Sequence, residues 1–194
     1  MSIQGFDQLF PTVIGNCFRE DLIEPTNKII SELDESEWRE FGTVSVNILD
    51  KYKDLQKEIT EEARMFLQEV MYYDTDIQMT TSWFTKATNK NQFEPHDHNN
   101  SWYSGVFYMQ DKCEIQFSSR TPQILVNNKA HNIINSLYVD YAPIAGTMYL
   151  FPSKTLHRVK PYPHEGTRHS LAFNFMPVGF HGVNDSSFNY IKGQ

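Results

Sequence analysis

Apolar positions in this chain change their period about a third of the way along. Leu55, Ile59, Ala63, Phe66 and Val70 recur at steps of four, four, three and four, while Lys51, Lys53, Lys57, Glu58, Glu61 and Glu62 occupy the other faces. That spacing predicts an amphipathic helix with one buried stripe and one solvated face. A shorter helix is predicted from about Pro25, a residue suited to a first helical turn, with Ile29, Ile30 and Leu33 on one side. From about Ile77 the pattern becomes that of strands. Met79–Thr85 is rich in Thr and aromatic residues, and Thr88-Asn89-Lys90-Asn91 reads as a turn. Further strands are predicted at 104–109, 114–117, 123–126, 147–151 and 168–175. Residues 127–141 carry few signals and fit either a loop or a loop with a strand around 133–139.

No repeat, low-complexity tract or Pro/Gly/Ser linker divides the chain. The expectation is therefore one domain over 1–194: a helical support region to about 75, a β core over about 76–178, and a tail at 179–194. The class is mainly β with N-terminal helices, and several short strands separated by turns imply a sandwich or barrel.

Composition narrows the functional classes. Of 194 residues 40% are hydrophobic and 14% aromatic, enough to enclose a core and a small pocket with large side chains. A formal charge of −7 and the lack of a basic run argue against a surface for a phosphate backbone or an anionic membrane. No apolar stretch approaches the roughly 18 to 20 residues of a bilayer span, and Met1–Gly5 lacks a basic region leading into an apolar one. Cys17 and Cys113 make no disulfide framework or zinc knuckle. A cytoplasmic protein without nucleic-acid or membrane partners is expected.

The candidate chemistry lies in two places. In Glu94-Pro95-His96-Asp97-His98-Asn99 an extended backbone would point His96 and His98 the same way and Asp97 the opposite way. His157, following Phe151-Pro152-Ser153, could supply a third imidazole. Imidazole binds iron, zinc, copper and nickel alike, so the donor set leaves the metal open, and the same residues could also be surface-loop histidines. The second place is Arg168-His169-Ser170-Leu171-Ala172-Phe173-Asn174-Phe175, whose alternation puts Arg168, Ser170, Ala172 and Asn174 on one face. A forked guanidinium and a hydroxyl sharing a direction can grip a carboxylate.

Taken in order, His96-x-His98, Ser104-Gly105-Val106-Phe107-Tyr108, Gly146-x-x-x-Leu150-Phe151-Pro152-Ser153 with His157, Arg168-x-Ser170 and Phe173-Asn174 resemble the iron(II)/2-oxoglutarate-dependent oxygenases. The resemblance is closest to the oxygenase family of bacteria and phages with a His-x-His first motif, and covers about residues 83–175. It implies a double-stranded β-helix, a cupin-like jelly roll. It implies that His96, His98 and His157 hold Fe(II), with His98 in the slot that the wider superfamily gives to Asp or Glu. It also implies that Arg168, Ser170 and Tyr108 bind the distal carboxylate of the cosubstrate 2-oxoglutarate, with Asn174 as a further pocket residue. The implied reaction uses O₂ and couples oxidative decarboxylation of 2-oxoglutarate to hydroxylation of a substrate, either a small molecule or a protein side chain.

Two other readings compete. One is a cupin-like metal dioxygenase that does not use 2-oxoglutarate; the other is a non-catalytic jelly-roll binding module. Trp83 is expected to pack beside the site, and Trp102 and Tyr103 either to face substrate or to pack. His131, His164 and His181 are expected in solvent, and both cysteines are expected to be inert.

Overall fold

Two apolar clusters on opposite faces of one antiparallel sheet organise the chain. The computed structural model describes residues 5, 7, 9–90, 93–120, 127 and 129–190. In chain order the elements are β1 (Gly15–Phe18), α1 (Ile23–Glu32), β2 (Trp38–Arg39), β3 (Gly42–Thr43), α2 (Lys53–Met65), β4 (Asp76–Ala87), β5 (Tyr103–Tyr108) and β6 (Ile115–Ser118). They continue with β7 (Tyr138–Tyr141), β8 (Thr147–Pro152), β9 (Leu156–Val159), β10 (Arg168–His181) and β11 (Phe188–Tyr190).

The major sheet runs β1-β8-β5-β10-β4-β3-β2, with β11 paired to the far end of β10, and the minor sheet runs β7-β6-β9. This is a mainly β, antiparallel jelly roll carrying two helices. Alternation along the central strands explains why they are buried on both sides. Phe107, Met148, Leu150, Leu171, Phe173 and Phe175 face the helices, joining Ile29, Leu55, Ile59, Ala63 and Leu67. Val106, Tyr108, Tyr149 and Phe151 face the minor sheet, joining Ile115 and Phe117. At Gly105 a side chain would fall 2.3 Å from the Phe173 ring and 2.8 Å from the Tyr149 carbonyl, so this crossing requires glycine.

The structure departs from the sequence pattern at several points. The second helix does not continue its stripe to Val70, because it closes in a π-helical turn over Phe66–Val70, in which the Met71 N–H donates to the Phe66 carbonyl at 3.2 Å. One extra residue in a turn rotates the face. Val70 is consequently 56% exposed, whereas Leu67, four residues past Ala63 and so already on the stripe, is 1% exposed. The N-terminal third is not only helical. It contributes β1, which extends the major sheet at β8, and the β2–β3 hairpin, which extends it at β4.

Between 127 and 141 the strand falls at Tyr138–Tyr141, while Ile133 and Ile134 are exposed. The expected strand at 123–126 lies outside the described residues. The expected tail begins inside β10 and folds back as β11. Trp102 and Tyr103 are packing residues, in edge contact with each other and with Tyr73 and Phe66 respectively. His131 and His164 are exposed, but His181 is half-buried against Phe188. No helix among the described residues is long and apolar enough to cross a membrane.

The π-helical turn makes a direct prediction. Leu67→Ala should cost about 2–5 kcal/mol of stability, and Val70→Ala no more than about 0.5 kcal/mol, in urea unfolding. Equal losses would place the turn elsewhere.

Candidate metal and cosubstrate site

The space between the two sheets holds a cavity of about 490 Å³, lined by His96, His98 and His157 together with Tyr108, Ser170, Trp83, Thr85 and others. His157 arrives on β9 of the minor sheet. Residues 96–98 are extended beside it: His96 and His157 form an antiparallel bridge, exchanging N–H and carbonyl at 2.9 Å both ways. The alternation expected of 96–98 is present. His96 and His98 both turn to His157, while Asp97 turns out to an ion pair with Arg120, with Lys154 3.9 Å away. Asp97 is thereby committed to two cations and directed away from the imidazoles.

One nitrogen from each of the three rings lies within 4.8 Å of the others. The Nδ1 of His96 is 3.0 Å from the Glu94 carbonyl, and that of His157 is 2.8 Å from the Thr155 carbonyl. A carbonyl only accepts, so both Nδ1 atoms carry the proton and both Nε2 atoms present a lone pair. The Nε2 atoms of His98 and His157 face each other at 3.3 Å. That is the separation expected of two nitrogens each about 2.0–2.1 Å from one ion. Burial, with the neighbouring His96, lowers the His98 pKa to about 4, and burial lowers that of His157 to about 3. Both rings are therefore neutral at physiological pH, the state in which imidazole binds a metal.

The other end of the cavity is built by β10 between its neighbours. Register places Ser170 opposite Tyr108 of β5 and opposite Thr85 of β4. Arg168 is 1% exposed, its Nη1 donates to the Ser170 hydroxyl at 3.2 Å, and its guanidinium lies 5.7 Å from the centre of the Tyr108 ring. Its Nε and Nη2, and the Tyr108 hydroxyl, are buried without a partner among the described residues. A buried guanidinium without a carboxylate is among the least favourable arrangements a protein can hold. The set fits a bound anion with several acceptor oxygens. Burial also raises the Tyr108 phenol, which stays a protonated donor, and raises the adjacent Cys113 thiol to about 11, so that it is uncharged.

Asn174 does not line the cavity. It lies four residues further along β10, bonded to Ser104 and Thr81. Trp83 does line the cavity, with its ring 5.7 Å from that of His98. Thr85 was not anticipated: its hydroxyl is 2.7 Å from that of Ser170. Alternation with Trp83 along β4 gave the face, but only strand pairing brings Thr85 to Ser170. The outer rim, Arg39, Glu40, Phe41 and Phe93, was also missed, because it comes from the β2–β3 hairpin and the segment before His96, which are distant in sequence.

The depressed histidine pKa values set a pH dependence. In the unfolded chain these rings take up protons near pH 6.5, whereas in the fold they resist until about pH 4 or below. The unfolded state therefore binds more protons in that window, and the metal-free protein should lose stability as pH falls from about 6.5 towards 4. Melting temperature against pH in the presence of a chelator should show this slope, and His98→Phe or His157→Phe should flatten it. A slope indifferent to both substitutions would contradict the assignment.

Residues 81–174 match the family model described as "Putative 2OG-Fe(II) oxygenase". No curated protein matches the chain. Among solved structures, it is similar to an oxidoreductase of the 2OG-Fe(II) oxygenase family from Burkholderia pseudomallei, with TM-score 0.62 and 11% identity over 84% of this chain and 83% of that one. It is also similar to the non-heme alpha ketoglutarate dependent carbocyclase SnoK from nogalamycin biosynthesis, with TM-score 0.64 and 11% identity over 93% and 83%. A third is HygX from Streptomyces hygroscopicus, crystallised with nickel, 2-oxoglutarate and hygromycin B, with TM-score 0.57 and 11% identity over 89% and 86%. At such identity these structures speak for the fold alone. The family match runs from β4 to β10, over both the histidine cluster and the Arg-x-Ser pair, and with the shared jelly roll it supports an oxygenase of the 2OG-Fe(II) type.

Proposed function

We propose that His96, His98 and His157 hold iron(II), that Arg168, Ser170 and Tyr108 hold the distal carboxylate of 2-oxoglutarate, and that the reaction is hydroxylation of a small molecule. The observation that carries this reading is the buried Arg168 charge, two nitrogens of which, like the Tyr108 hydroxyl beside it, have no hydrogen-bond partner among the described residues. When bound, iron(II) and 2-oxoglutarate supply with O₂ a two-electron oxidation, in which the cosubstrate leaves as succinate and CO₂ and one oxygen atom is inserted into the substrate.

The chain's own contribution is binding, orientation and exclusion of water. Three neutral imidazoles add no negative charge, so a dianionic cosubstrate would neutralise a divalent ion in full. Arg168 supplies the opposite charge from behind Ser170 and Tyr108 at the far end of the cavity, where burial makes a charge-assisted hydrogen bond strong. Ser170 accepts from Arg168 and so keeps its own proton free for an oxygen acceptor, with Thr85 2.7 Å away as an alternative partner. Val106, Ile115, Phe151 and Val159 line the same cavity and keep its interior apolar.

The substrate would enter past Arg39, Phe41, Trp83 and Phe93. Trp83 sits against His98, and Phe41 and Phe93 meet edge to face with ring centres 5.3 Å apart. Such a rim suits a small molecule with a flat or apolar body, and HygX, of similar fold, binds the small molecule hygromycin B in its crystal structure.

Anaerobic titration of metal-free protein with iron(II) and then 2-oxoglutarate should produce the weak visible band of a chelated complex at one equivalent of each. Arg168→Met should weaken 2-oxoglutarate binding about 10–150-fold, the loss of one or two hydrogen bonds from a charged group. In the metal-free protein the same substitution should leave the melting temperature unchanged or raise it, because it removes an unpaired buried cation. Iron binding without any response to 2-oxoglutarate would favour a cupin-like dioxygenase instead.

A further inference from the structure

Three fragments of the sequence motifs have no part in either binding set: Ser104 of Ser-Gly, Ser153 of Phe-Pro-Ser and Asn174 of Phe-Asn. They lie on three different segments and meet in one buried cluster. Ser104 and Ser153 are almost fully buried, and Asn174 is 7% exposed. The Ser104 hydroxyl donates to Asn174 Oδ1 at 2.6 Å and lies 2.8 Å from the Ser153 hydroxyl. Since Ser104 has a single proton and gives it to Asn174, Ser153 must be the donor to Ser104. Asn174 Nδ2 in turn donates to Thr81 Oγ1 at 2.9 Å. The cluster is thus a one-way chain of hydrogen bonds, from Ser153 to Ser104 to Asn174 to Thr81, tying the end of β8 across β5 and β10 to β4.

Ser153 is also the residue on which the metal-motif segment is hung. Its carbonyl accepts the His98 N–H at 2.9 Å, and its N–H donates to the Trp102 carbonyl at 2.9 Å. Trp102 completes the attachment by donating its N–H to the Phe175 carbonyl at 2.9 Å. Phe175 follows Asn174 at the point where the pairing of β10 with β4 shifts by one residue. Bulges of this kind re-aim side chains and backbone groups. Here the shift leaves Asn174 opposite both Ser104 and Thr81 and sets the Phe175 carbonyl under Trp102.

We propose that Asn174, acting through Ser104 and Ser153, is a positioning residue for His98: it fixes the backbone of 98–102 so that the His98 ring is held against His157. This rests on the reading of the three histidines as metal ligands. It assigns a task to residues outside both proposed binding sets, and it explains why an amide on the same face of the Arg-x-Ser strand lies outside the cavity. Outer partners of this kind typically change metal affinity about 10–100-fold when removed.

The test uses the metal-free protein and cobalt(II) as the probe ion. Asn174→Ala should speed amide hydrogen exchange at His98 and Ser153 at least about tenfold and weaken cobalt(II) binding about 10–100-fold. Ser82→Ala is the control. It removes another buried strand hydroxyl, next to Thr81 in the chain but bonded instead to the Leu49 N–H at 3.0 Å. If Asn174→Ala does not fold, Ser153→Ala removes only the first hydroxyl of the chain and should act in the same direction. The double variant should bind cobalt(II) no more weakly than the weaker of the two single variants, because both break one chain. The proposal is overturned if exchange at His98 and cobalt(II) affinity change no more than in Ser82→Ala, or if exchange rises while affinity stays constant. Failure of the unsubstituted protein to bind cobalt(II) would instead sink the metal reading, and the exchange data alone would then decide whether Asn174 holds the segment.

Discussion

The site depends on the register of β10 between β5 and β4. Ser170 lies level with Tyr108 and Thr85, and four residues on Asn174 lies level with Ser104 and Thr81. These are two polar rungs on one face of a sheet whose opposite face is closed by Leu171, Phe173 and Phe175 against the helices. A slip of one residue would drive three apolar side chains into the cavity and Arg168 into the helical core. The helices, far from the candidate site, therefore act on it by making any other register of β10 prohibitively unfavourable.

Electrostatics divides the cavity into two ends of different character. At one end burial keeps His98 and His157 neutral, and the nearest acid, Asp97, is held outside by Arg120 and Lys154. Behind the other end the Arg168 charge, which does not itself line the cavity, is buried against the Tyr108 phenol and the Ser170 hydroxyl, which do. Neither end is self-sufficient: at one, the facing nitrogens of His98 and His157 can share no more than the one proton of a His98 Nε2–H donor, and at the other, buried donors have no acceptor among the described residues. A cation at the first end and an anion at the second would relieve both mismatches, and a chelating dicarboxylate would connect the two. The fold thus stores an arrangement that is unfavourable in isolation and resolved by its ligands, as functional sites commonly do.

The supporting structure follows the same economy of faces. β5 and β8 are buried on both sides because each alternate residue serves a different layer. The π-helical turn at Phe66–Val70 ends the buried stripe of α2, so that Leu67 is its last core residue, Val70 is turned out, and Phe66 meets Tyr103 at the start of β5. Tyr103 immediately follows Trp102, where the metal-motif segment is tied to Ser153 and Phe175.

Much of this was legible in the amino-acid order. Given an extended backbone, side-chain alternation pointed His96 and His98 opposite to Asp97 and put Arg168 and Ser170 on one face, because a strand's period is a local property of the backbone; that residues 96–98 are extended came from their bridge to His157. The amphipathic stripe of α2 was equally local, up to the residue where the π-helical turn broke it. Tertiary structure decided everything that depended on which strands became neighbours: the approach of His157 to His96 and His98, the placing of Thr85 beside Ser170, the exclusion of Asn174 from the cavity, and the union of Ser104, Ser153 and Asn174. Hydrogen-bond register between distant strands is selected by burial of the whole sheet on both its faces. No window of sequence contains that selection, so those contacts were readable only once the fold was in place.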